Sequence, residues 1–84
     1  MGEVIMVYRI LADSPETVPV VKAALEKLNP LSIEEQELAF GMKALLFKKV
    51  IPDEGGAQDK LEEQLQTIPH LSDFEVLSFS RSMA

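Results

Sequence analysis

The 84-residue chain contains no cysteine, which removes disulfides, thiolate metal sites and cysteine nucleophiles together. Histidine occurs once, as His70 in a Pro-His turn, where an exposed turn residue is the ordinary role and a general base has no visible support. There is no HxxxH, no Cys/His cluster and no nucleophile elbow. Apolar runs stop far short of the ~18 residues that suggest a membrane span. The opening residues show no basic stretch followed by an apolar one, so a cytoplasmic location without a membrane partner is expected. Met1-Gly2 is not followed by the Ser or Thr that myristoylation wants at position 6, where Met6 stands. Basic residues are scarce: 8 Lys and Arg against 14 Asp and Glu give a net charge of −6. Such a surface repels phosphate backbones and argues against direct nucleic-acid binding. It suits simple solubility, or a basic protein partner.

What is present reads as one globular domain over residues 1–84. The apolar fraction is 46% and the charged fraction 26%, ordinary for a folded chain. A globule of this size has a radius of gyration of roughly 12 Å and supports one modest core, two layers thick. Residues 3 to 12, EVIMVYRILA, alternate as a strand: Val4, Met6, Tyr8 and Ile10 share one face, Ile5, Val7 and Arg9 the other. Ser14, Pro15 and Glu16 form a helix start, and Val18, Val21, Leu25 and Leu28 make its apolar stripe before Asn29-Pro30 ends it. Residues 31 to 39 read as a polar edge strand whose glutamates discourage edge-to-edge pairing. Residues 41 to 51 form the longest strand, broken by Pro52-Asp53-Glu54-Gly55-Gly56. A second helix carries Ala57, Leu61, Leu65 and Ile68 inward and Asp59, Lys60, Glu62, Glu63 and Gln66 outward. Residues 72 to 81 form the last strand.

Strand, helix, strand, strand, helix, strand predicts an α+β, ferredoxin-like βαββαβ sandwich. Two helices of about 14 and 12 residues cannot bury a stripe alone, but both can lie on one face of a four-stranded antiparallel sheet. No cofactor or metal site is legible. Gly55-Gly56 opens a helix but is flanked by Asp53 and Glu54, so a flexible turn accounts for it better than an anion site. Glu34, Glu35 and Glu37 lack the spacing of a calcium loop. Phe47 and Phe79 lie in strands, but Lys43, Lys48, Lys49 and Arg81 are too few to make a nucleic-acid platform.

The stretch ELAFGMKALLF, residues 37 to 47, sets a bulky aromatic directly before a glycine at the junction of two strands. Glycine there supplies positive φ or a bulge for a tight turn. Phe40 is then carried on the tip, where it either folds back over the sheet end or is offered to a partner as an aromatic anchor.

The run ELAFGMKALLFKKVIPDEGGAQDKLEEQL resembles the central motif of translation elongation factor 1-beta, the exchange factor of elongation factor 1-alpha. The opening, Met1-Gly2-Glu3-Val4 through Asp13-Ser14-Pro15-Glu16, is similar to the short archaeal form. The resemblance implies a guanine nucleotide exchange factor that is not an enzyme and whose partner is the GTPase elongation factor 1-alpha. The aromatic of the aromatic-Gly pair, here Phe40, inserts into an apolar pocket of the GTPase. Gly41 lets the tip approach, and Lys43 follows in the motif. Family members carry one or two basic residues near the C-terminus; here Ser80-Arg81-Ser82-Met83-Ala84 offers only Arg81, either a partner contact or a solvated strand end. Two alternatives share the fold. A small-molecule-sensing regulatory module usually works as a dimer fused to an enzyme. An acylphosphatase-type enzyme wants an arginine in an anion-cradling loop, where this chain has Asp13-Ser14-Pro15-Glu16.

Overall fold

Six principal elements follow one another in a computed structural model that describes residues 2–82: β1 (Glu3–Ala12), α1 (Val18–Glu26), β2 (Ser32–Glu37), β3 (Lys43–Pro52), α2 (Ala57–Gln66) and β4 (Leu71–Ser82). Short 3-10 turns occupy Pro15–Thr17 and Ala39–Gly41. The strands form one antiparallel sheet in the order β2-β3-β1-β4, the arrangement expected of a ferredoxin-like sandwich. The radius of gyration is 12.9 Å and the longest extent 42 Å.

Alternation along β1 sets the core. Met6, Tyr8 and Ile10 point to the helices and are buried, and β3 brings Leu45 and Phe47 opposite Ile10 and Tyr8. Val18, Val21 and Leu25 of α1 and Leu61 and Leu65 of α2 join the same cluster, which places both helices on one face. Tyr8 sits at its centre, with Phe74 edge-on at 5.9 Å between ring centroids and Phe47 tilted at 6.4 Å. On the other face Ile5 and Val7 are half-buried beside Val50 and Lys48, and Arg9 pairs across the ladder with Glu75.

Three features depart from the sequence expectation. The first helix is shorter than Ser14 to Leu28 at both ends. It stops at Glu26, where Lys27 and Leu28 bond back in i→i−3 turns. At its start Pro19 has no N–H to donate to the Pro15 carbonyl, so the opening turn cannot be α-bonded. Val18 N–H bonds the Pro15 carbonyl instead, closing a separate 3-10 turn, and α1 proper has 9 residues. The second helix has 10 residues, Gly56 capping it in a left-handed conformation at φ 89°. Glu62, placed by its helical position among the exposed charges, is instead half-buried and accepts a 3.1 Å hydrogen bond from the Tyr8 hydroxyl. Gln58 donates to the same carboxylate oxygen at 2.9 Å. Burial, then the charge of Glu62 and its hydrogen bond, push the Tyr8 phenol well above the ordinary tyrosine range.

Candidate functional site

The third strand begins at Lys43 rather than at position 41, which frees Phe40 and Gly41 for the connection from β2. Glu37 pairs with Lys43 across the ladder. Beyond them the Leu38 N–H donates to the Met42 carbonyl at 2.8 Å, and the Met42 N–H returns to the Ala39 carbonyl at 3.3 Å. Two residues, Phe40 and Gly41, are left at the apex.

Both have positive φ: 62° at Phe40, with ψ 31°, and 74° at Gly41. A pair of successive positive φ values is what a hairpin of this hand demands, and Asn-Gly is the ordinary solution. Glycine accepts the conformation freely. An added Cβ at Gly41 would meet nothing within 4 Å, so the backbone angle, not crowding, is what favours glycine there. The sequence expectation assigned positive φ to the glycine alone. Phe40 also occupies the left-handed region, where an L side chain crowds its own carbonyl at a cost of about 1–2 kcal/mol.

That conformation throws the ring outward. Phe40 is 101% exposed, so the alternative in which it folds back over the sheet end does not hold. Leu38 and Met42 flank it, 36% and 37% exposed, around a depression of about 210 Å³ lined also by Glu37, Gly41 and Lys43. Neither was singled out from the sequence. The signal was there in the spacing: Leu38, Phe40 and Met42 recur at every second position of a hairpin end, where polar residues are the norm.

Phe40, Gly41 and Lys43 are therefore brought together, and Arg81 is not among them. The ladder puts Arg81 level with Val4, and Val4 level with Ile51, so the rise along β3 separates Arg81 from Lys43 by roughly 26 Å. At that far end the Arg81 guanidinium lies 3.3 Å from the Asp53 carboxylate, beside a cleft of about 150 Å³. Phe79, 70% exposed, lines it, whereas Phe47 is buried under the helices. Met83 and Ala84, the end of the tail considered with Arg81, lie outside the described residues.

His70 sits in an exposed turn at the same end as the Phe40 tip, its Nδ1 3.0 Å from Asp13 Oδ2. Hydrogen bonds from Thr17 and from His70 hold the Asp13 carboxyl below the usual carboxylate range. The Asp13 N–H also donates to the His70 carbonyl at 2.8 Å, so these contacts tie two loops together. Among the described residues no group of three or more His, Asp or Glu is placed to hold a metal ion, and no helix is long and apolar enough to cross a membrane. The β2–β3 tip offers apolar side chains on a projecting, hydrogen-bonded support, a geometry fit for insertion into another molecule; Val76, Leu77 and Phe79 are also exposed, but along the strand β4 and not on a turn.

Comparison with known proteins bears on what that molecule is. A family model described as the EF-1 guanine nucleotide exchange domain matches residues 5–81. A protein of Methanoculleus marisnigri named elongation factor 1-beta is 35% identical over 79 residues, covering 92% of this chain and 94% of its own. A protein of the same name from Pyrobaculum arsenaticum is 37% identical over 88 residues, with 95% of each chain covered. One from Methanobrevibacter smithii is 30% identical over 89 residues, spanning 99% of this chain and 100% of its own.

Proposed function

Because this chain belongs to the EF-1 guanine nucleotide exchange domain family, we propose that it promotes release of GDP and loading of GTP on the GTPase elongation factor 1-alpha, acting in translation in the cytoplasm. Residues 1–84 act as one exchange domain, and the chain performs no covalent chemistry. The observation that carries the reading is the position of Phe40: fully exposed, outside the core, and held outward by a strained backbone.

An exchange factor needs only to bind the nucleotide-free or distorted GTPase more tightly than the nucleotide-bound one. The ring of Phe40 enters an apolar pocket that opens when the nucleotide grip relaxes, and Gly41 supplies the turn that aims it. Lys43, at the head of β3, reaches acidic groups at the pocket's edge. Each 1.4 kcal/mol of preference for the relaxed state is about a tenfold gain in GDP release, so one buried ring accounts for acceleration by orders of magnitude. Arg81 makes a separate contact from the far end of the sheet.

Release of labelled GDP from the cognate GTPase, with wild-type and Phe40→Ala protein, tests this. Acceleration by the wild type and its loss in the variant are expected. Equal acceleration by both removes Phe40 from the mechanism, and none by either removes the function.

A further inference from the structure

We infer that Leu38 and Met42 are partner-contact residues alongside Phe40, so that the tip meets its partner as a three-residue apolar surface and not as a single ring. This rests on the exchange-factor reading above. Both side chains are more than one-third exposed, and neither belongs to the core cluster or to the partly buried residues packed against it. Folding therefore covers part of both side chains outside the core and leaves more than a third of each open to a partner, at a hairpin end where polar residues are the norm.

Their placement is also ordered. The 2.8 Å bond from the Leu38 N–H to the Met42 carbonyl makes them direct neighbours across the ladder, one on each side of the residues that carry the ring. They line a depression at the tip together with Gly41, with Glu37 and Lys43 as the last charged pair before the apolar end. A partner pocket that took only a phenyl group would leave both shoulders in water. The surface instead fits a pocket whose mouth is itself aliphatic, with charged groups only at its outer rim, opposite Glu37 and Lys43. Buried anchors surrounded by lesser contacts that exclude water are the common layout of tight protein interfaces.

The test uses the full chain with Leu38→Ser and Met42→Ser as single variants. Affinity for the nucleotide-free GTPase, rates of catalysed GDP release and thermal melting are measured for each. Each variant is expected to bind about tenfold more weakly, with melting as in the wild type. Met42→Leu, which returns an apolar side chain of similar volume, should recover most of the loss. Wild-type affinity and rate in both serine variants, with Phe40→Ala impaired, overturns the inference and leaves the exchange reading standing. A large drop in melting temperature also overturns it, because the two residues would then be serving the fold. If the wild type itself fails to accelerate release, both fall together.

Discussion

Replacing Phe40 by asparagine should make the protein more stable and less active at once. The ring is 101% exposed, so its removal takes no buried contact from the fold. What the fold bears at this position is backbone strain: φ 62° and ψ 31° lie in the left-handed region, which costs a bulky L residue about 1–2 kcal/mol. Asparagine accepts that region more readily and is the usual partner of a following glycine in such turns. A gain of about 1 kcal/mol is expected, which raises the melting temperature of a domain this size by roughly 4–8 °C. In exchange the sign reverses. A phenyl side chain buried in a partner pocket removes roughly 150–250 Å² from water, for an upper bound of about 4–6 kcal/mol. Truncated interface anchors typically lose ~2 kcal/mol or more, so GDP release at limiting factor should slow at least about thirtyfold. Calorimetric melting and release of labelled GDP are the two assays. Phe40→Ala is the control that loses exchange without easing the turn, and its melting should stay near wild type. A Phe40→Asn protein that melts lower, or exchanges as well as wild type, refutes the reasoning.

The chain has a single tyrosine, so phenolate absorbance reports Tyr8 alone. Its folded pKa is raised, so the stability it contributes is complete below about pH 10 and is lost as pH rises above that; Tyr8→Phe should flatten this alkaline limb. The same variant breaks the bond to Glu62 and should cost about 1 kcal/mol in denaturant titrations. Asp13 has a lowered pKa, so its contribution is present above about pH 4 and lost as pH falls through the folded value; the acid limb of a melting-temperature profile should be shallower in Asp13→Asn. Phe40→Ala and Arg81→Ala, at opposite ends of the sheet, should have additive effects on binding free energy within about 0.5 kcal/mol. A larger coupling would mean that one partner segment spans both.

Much of this protein could be read from its order of residues. The alternation of Val4, Met6, Tyr8 and Ile10 predicted the buried face of β1, because a strand has only two sides. The glutamates of residues 34 to 37 predicted an edge strand, and β2 lies at the sheet edge. The Gly55-Gly56 pair marked the start of α2 through local backbone chemistry, whereas α1 ends at Glu26, short of the positive-φ Asn29. The motif around Phe40-Gly41 pointed to the family by resemblance alone.

Other features became visible only with the strands and helices assembled. Glu62 looked solvent-facing by helical position, yet the phenol of a residue 54 positions earlier reaches it from the core. Arg81 and Phe40 belonged to one candidate site in the sequence, and the ladder set them at opposite ends. The extra strain at Phe40 is a feature of the assembled turn: the Met42 N–H closes onto the Ala39 carbonyl with both Phe40 and Gly41 at positive φ, where the sequence pointed to the glycine alone. Periodicity and turn chemistry act over a few residues and leave their mark in the chain itself. Register, reach and convergence depend on which distant segments pair, and that is settled only when the whole sheet closes over its core.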